Sequence, residues 1–307
     1  MRLANTMPSK LDGNLCDIYS DYMVRHFPSL GPDPTSDFQV LATIRYDPNL
    51  SEITPLSYED ITRQNFFLLE EHVARLNFTF EFFHNLYGTA MDFEVTQEIL
   101  WKQLVESLRS SGKIVFMPYK IRGLFKLDGS AVLEIHDTTN RLNLLGPLYP
   151  KAGVNFGVNV DIGGLEYLHN FGTSDGAEDI VWDVYLNKNS TLMSPFTSFK
   201  TTKRDVYNTA RAILPGLNPG IEEVLLFNTQ DQLMEGSISN VAIQRKSDKR
   251  WITPLLSSGC LCGVTRHFLL RRNLIEEELI TMNQLEVGMD VLLFNGVMGV
   301  VKGKIVG

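Results

Sequence analysis

The sequence predicts an α/β (α+β) protein of two domains. Three observations carry this. Its 307 residues exceed the usual size of a single domain. Continuous or alternating apolar runs, read as strands, are interleaved with stretches whose apolar residues recur every three and four positions, read as helices. A Gly- and Asn-rich stretch from Tyr149 to Asp179 interrupts the pattern near the middle of the chain.

The elements follow in order. Residues 1–36 form an N-terminal extension that ends in the breaker-rich Gly-Pro-Asp-Pro-Thr-Ser, with a short helix near Asp17–His26. Phe38–Tyr46 reads as a buried strand. Phe66–Tyr87 is a helix, because Leu69, Val73, Leu76, Phe80 and Phe83 fall on one face. Asp92–Arg109 is a second amphipathic helix. Ile114–Leu127 and Ser130–Asp137 flank Asp128-Gly129, a hairpin signal. These elements make a small N-terminal domain, 37–150. Residues 151–179 are the interdomain connection. A larger C-terminal domain, 180–307, holds strands at Val181–Leu186, Val224–Phe227, Val241–Arg245, Arg250–Ile252, Val291–Asn295 and Gly299–Ile305, with helices at Arg204–Leu214 and Val264–Asn273.

Composition narrows the function. Hydrophobic residues make up 44% and charged residues 21%, an ordinary globular balance. A net charge of −8 speaks against nucleic acid or an anionic membrane as partner. A small anionic substrate would need a local cluster of Arg and Lys. The polar start of the chain shows no signal peptide and no membrane span, so the cytosol is expected. The three cysteines, Cys16, Cys260 and Cys262, suit a reducing compartment. Cys260 and Cys262 lack a second ligand pair nearby, so no metal is expected.

Single residues carry the chemistry weakly. Lys200 lies in Phe-Thr-Ser-Phe-Lys-Thr-Thr. A desolvated lysine can act as a neutral amine and form a Schiff base, whereas a lone lysine is ordinarily solvated. Glu235, in Met-Glu-Gly-Ser-Ile-Ser-Asn, could keep a pyridine nitrogen protonated. Gly263-Val264-Thr265 opens a helix, and its free N–H groups with the Thr265 hydroxyl suit a phosphate or ordinary capping. Arg75, beside the apolar stripe of the first long helix, could grip a phosphate bidentately. A Schiff-base lysine, a ring-nitrogen acid and a phosphate cradle together are what pyridoxal 5'-phosphate requires.

The order Arg75, Lys200, Glu235, Asn240, Thr253 and Leu261-Cys-Gly-Val-Thr-Arg266 resembles the class IV pyridoxal-phosphate enzymes from about Phe38 to Lys304. FTSFKTTKRD, LMEGSISNVA, GCLCGVTRHFLLR and EVGMDVLLFNGVMG are similar to the fungal aminodeoxychorismate lyases within that family. The small Ala242, where the wider class has an aromatic residue, and Arg204, four residues after Lys200, fit the same subfamily. The resemblance implies a two-domain fold type IV enzyme (D-amino acid aminotransferase-like) with cofactor in the interdomain cleft. It implies that Lys200 holds the cofactor and moves the proton, that Glu235 meets the ring nitrogen, and that Arg75, Val264 and Thr265 bind the phosphate. Ser239, Asn240, Leu261 and Asn295 would line the cofactor. Arg45, Arg204, Lys120 and Arg122 are candidates for the carboxylates of a dianionic substrate, with Thr43 on the strand face of Arg45 and Met298 at the pocket edge. The implied reaction converts 4-amino-4-deoxychorismate to 4-aminobenzoate and pyruvate, in folate biosynthesis. A branched-chain or D-amino acid aminotransferase and a non-catalytic binder of the cofactor are the rival readings. Monomer and homodimer both stay open.

Overall fold

The computed structural model describes residues 38–141, 144–148, 180–212 and 221–307. The extension 1–36 with its expected helix near Asp17–His26, and the connection 151–179, lie outside these residues. The chain divides into two compact units, Met1–Asn140 with Ser194–Arg204, and Arg141–Met193 with Asp205–Gly307.

The first unit contains a three-stranded antiparallel sheet of β1 (Val40–Tyr46), β2 (Tyr119–Phe125) and β3 (Ala131–Asp137), in that order. Helices α1 (Leu69–Tyr87) and α2 (Gln97–Ser110) belong to the same unit. Val40, Ala42, Ile44 and Tyr46 of β1 join Ile121 and Phe125 of β2 and Leu76, Phe80 and Phe83 of α1 in one apolar core. The Asp128-Gly129 hairpin forms as its sequence requires. Gly129 takes φ +82°, and the Asp128 carboxylate accepts the Ser130 N–H at 2.8 Å.

Three boundaries differ from expectation by more than two residues, each for a local reason. β2 starts at Tyr119, not Ile114, because Pro118 has no N–H to give a ladder. The second helix starts at Gln97, not Asp92: the Thr96 hydroxyl caps it, accepting from Ile99 N at 3.1 Å, and Val95 is bound to the Asn77 side chain. The first helix starts at Leu69, not Phe66, because Phe66 and Phe67 run beside β1 instead.

A single helical turn, α3 (Pro195–Ser198), precedes Lys200. The chain after it is stitched to the start of β1: Leu41 N donates to Lys200 O at 2.8 Å, and Thr202 N to Gln39 O at 2.9 Å. Phe199 stacks on Phe82 with ring centroids 4.1 Å apart, and Phe196 meets Phe38 edge-on. These contacts group Ser194–Arg204 with the first unit, whereas the sequence reading lists those residues within 180–307.

The second unit is built on an eight-stranded mixed sheet. Its strands are β4 (Trp182–Leu186), β5 (Glu222–Phe227), β6 (Leu233–Gly236), β7 (Asn240–Gln244), β8 (Trp251–Pro254), β9 (Glu276–Glu278), β10 (Asp290–Asn295) and β11 (Gly299–Ile305). Their order is β6-β5-β4-β11-β10-β7-β8-β9. Helices α4 (Asp205–Ala212) and α5 (Val264–Arg271) accompany it. Strand β9, three consecutive glutamates, has no strand signature. It forms at the sheet edge because Arg245 takes Glu276 and Glu278 while Arg266 takes Glu277.

Candidate functional site

Within the second unit, Glu235 ends up buried, 3% exposed, on β6. Strand β5 holds it in place through the pair Leu226–Glu235. A buried carboxylate needs donors, and two are present. Tyr207 on α4 donates its hydroxyl to Oε1 at 2.7 Å, and Asn240 Nδ2 reaches Oε2 at 3.2 Å. The same Asn240 amide donates to Leu261 O at 2.9 Å, so one side chain ties the acid to the turn ahead of α5.

That turn leads into the α5 N-terminus. Gly263 is the N-cap residue, and no side chain caps it. A Cβ there would lie 1.9 Å from Asn240 Oδ1, so only glycine fits. The first-turn N–H groups of Val264 and Thr265 have no partner within the helix, which is the general property of a helix start. The Thr265 hydroxyl is fully buried without a hydrogen-bond partner. Orphan donors, an orphan hydroxyl and the positive end of a helix suit an anion such as phosphate. Cys260, just before, is inert: burial pushes its thiol up to about 12.

Asn295 closes the β10–β11 hairpin. Its Oδ1 accepts from Val297 N and Met298 N, both at 2.9 Å, and its Nδ2 donates to Ile238 O at 3.0 Å. Ile238 belongs to the turn between Glu235 and Asn240. Met298 is half-buried against the core of this unit. Ser239 gives its hydroxyl to Glu223 at 2.7 Å.

Within the first unit, Lys200 is half-buried, and Arg75 on α1 is buried. His72, one helical turn before Arg75, is also buried; its Nδ1 lies 3.5 Å from Arg75 Nη2, and its Nε2 has no partner. Burial, then the Arg75 and Lys200 charges, hold the His72 imidazole well below its ordinary value. It is therefore neutral, and it sits among the two cations that the sequence singled out.

The four strand candidates for carboxylate binding share one sheet face. Thr43 pairs with Arg122 and Arg45 with Lys120, and β3 adds Glu134 and His136. Their commitments differ. Arg45 is fully buried and spends Nε and Nη2 on Asp47, at 2.9 and 2.7 Å, with Nη2 also reaching Thr139 O. Arg122 holds the half-exposed Glu134 at 2.8 Å, a pair of small energy. Lys120 has no ion-pair partner among the described residues. Arg204 ends the segment that carries Lys200.

Comparison with known proteins identifies the family. Residues 183–306 match the amino-transferase class IV family model. The aminodeoxychorismate lyase of Saccharomyces cerevisiae is 35% identical over 277 residues, covering 79% of this chain and 68% of that protein. The chain belongs to the class IV aminotransferase family. Class IV enzymes depend on pyridoxal phosphate, and the expected fold is the one found. A Mesorhizobium loti structure assigned as an amino-acid aminotransferase matches with TM-score 0.61 at 21% identity, covering 88% of this chain and 100% of that one. The 4-amino-4-deoxychorismate lyase of Pseudomonas aeruginosa matches with TM-score 0.52 at 16% identity, covering 87% and 83%. At such identities these two structures speak for the class IV fold alone.

Three residues of this class IV chain escaped the sequence reading. Tyr207 is the one aromatic of the short helix α4, a signal that could have been read. His72 stands three residues before Arg75, on the same helix face. Glu223 is the second residue of β5, just before its buried apolar run, where an acid needs a reason. Among the described residues no helix is long and apolar enough to cross a membrane.

Proposed function

We propose that the protein is an aminodeoxychorismate lyase that releases pyruvate from 4-amino-4-deoxychorismate and leaves 4-aminobenzoate, using pyridoxal 5'-phosphate. The observation that carries the cofactor is the buried Glu235, hydrogen-bonded through Asn240 to a helix start where the Thr265 hydroxyl lies buried and unpartnered. That donor set fits a phosphorylated pyridine. The substrate follows from the 35% identical lyase.

Bound pyridoxal phosphate supplies an electron sink conjugated to the amine-bearing carbon of the substrate. The chain's residues do the rest. Glu235 keeps a proton on the ring nitrogen, and Tyr207 and Asn240 orient its carboxyl by donating to it. Val264 N–H, Thr265 N–H and Thr265 Oγ1 bind the phosphate, together with Arg75. Ser239, Leu261 and Asn295 line the cofactor. Lys200 Nζ takes the proton from the amine-bearing carbon. It then returns a proton to the departing enolpyruvyl group, which leaves as pyruvate while the ring becomes aromatic. Lys120 and Arg122, next to Thr43, meet the substrate carboxylates, with Arg204 and Met298 as further contacts. Arg45, held by Asp47, shapes that face electrostatically. The sparse cysteines support a cytosolic location.

The test is turnover without an amino acceptor. The protein loaded with pyridoxal phosphate is expected to release fluorescent 4-aminobenzoate and pyruvate from aminodeoxychorismate in the absence of any 2-oxo acid. A requirement for a 2-oxo acid would reassign it as an aminotransferase, and cofactor binding without turnover would leave a binding protein.

Thr265→Val offers a second, opposite-signed test. Removing an orphan buried hydroxyl is expected to raise the stability of the cofactor-free protein by about 1 kcal/mol, while weakening pyridoxal phosphate binding about tenfold. Thermal melting and cofactor titration read the two effects. A loss of stability without cofactor would show that the hydroxyl is already satisfied.

A further inference from the structure

We infer that Glu223 is a positioning residue for the cofactor: its carboxylate sets the turn that places Glu235 and Asn240. The inference rests on the reading that the chain binds pyridoxal phosphate. Glu223 is fully buried at the start of β5. Both of its oxygens act as acceptors. Oε1 takes Ser237 N–H at 3.0 Å, the Ser237 hydroxyl, Val224 N–H at 2.9 Å and Arg211 Nη1 at 3.2 Å. Oε2 takes the Ser239 hydroxyl at 2.7 Å and Ile238 N–H at 3.2 Å.

Four of these donors come from Ser237-Ile238-Ser239, the whole link between β6 and β7. Glu235 lies at one end of that link and Asn240 at the other, and the two meet at 3.2 Å. The link is also held from its other side, where Asn295 Nδ2 donates to Ile238 O. It has no slack. A Cβ on Gly236 would lie 2.5 Å from Ser239 Oγ and 2.7 Å from Glu223 Cδ. A carboxylate suits this role because it accepts at every lone pair. A glutamine of equal shape would turn an NH₂ group toward donors on one side. The turn would then relax, and the Glu235–Asn240 pair with it.

The test uses full-length wild type and Glu223→Gln, stripped of cofactor and titrated with pyridoxal phosphate. Wild type is expected to saturate. Glu223→Gln is expected to bind about tenfold more weakly. It is also expected to show a displaced pH midpoint for the visible absorption of the bound cofactor, because that band responds to charge placement around the ring. A lower melting temperature with unchanged affinity and unchanged midpoint would make Glu223 purely structural and overturn the inference. Wild type that fails to bind would sink the cofactor reading itself. If Glu223→Gln does not fold, Arg211→Met removes one donor and leaves the carboxylate. It is expected to displace the midpoint in the same direction by less, and an unmoved midpoint would overturn the inference.

Discussion

Lys200→Ala is expected to lower the rate of 4-aminobenzoate formation by at least about 10³-fold, the scale of losing both a covalent anchor and a proton carrier. The backbone of Lys200 is pinned to β1 by Leu41 N, and Phe199 is packed on Phe82, so the side chain is aimed by the fold. Truncating it should leave that backbone in place, and the melting temperature should change little. Lys200→Arg separates charge from proton transfer. An arginine keeps the positive charge beside His72 but does not release its proton near neutral pH. It is expected to be as inactive as the alanine variant. The measurement is the steady-state rate of 4-aminobenzoate release with saturating cofactor. Activity within tenfold of wild type in either variant would assign the proton transfer to another residue.

Glu235→Gln is expected to reduce kcat by about 10²-fold with a much smaller change in KM, since the charge acts on the transition state more than on substrate binding. The geometry sharpens this. Tyr207 and Asn240 donate to opposite oxygens of the acid. A glutamine with its oxygen toward Asn240 can turn its NH₂ group to the Tyr207 hydroxyl, which accepts as well as donates. The variant therefore loses the charge while keeping both contacts. Steady-state kinetics with aminodeoxychorismate read the effect. A kcat unchanged within threefold would remove Glu235 from the chemistry and leave it a structural acid.

Much of the fold was legible because its signals are local. The stripe along α1, the Asp128-Gly129 turn and the apolar runs of β10 and β11 depend only on neighbours in sequence. The elements that were misplaced or missed depend on distant partners. Strand β9 exists because Arg245 and Arg266 neutralise three acids that would otherwise oppose a strand. The helix α2 begins where Thr96 caps it and where Val95 is held by Asn77, a residue on the other helix.

The candidate site divides in the same way. Residue types suggested Lys200, Arg75, Glu235 and the Gly263-Val264-Thr265 turn, because a carboxylate, an amine and a glycine-opened helix carry their chemistry wherever they are placed, and the family resemblance added Asn240. Sequence alone ranked none of Arg45, Lys120, Arg122 and Arg204. The tertiary structure distinguishes the first three: Asp47 takes up Arg45, Glu134 lightly holds Arg122, and Lys120 lacks an ion-pair partner among the described residues. Only the fold brought Tyr207 to Glu235 and gathered a turn's donors onto Glu223, because hydrogen bonds between residues far apart in the chain leave no mark in its periodicity. The sequence by itself determined which chemical groups this protein can bring to a cofactor. The tertiary structure decided which of them are buried, paired and aimed, since burial and pairing are properties of the packed chain.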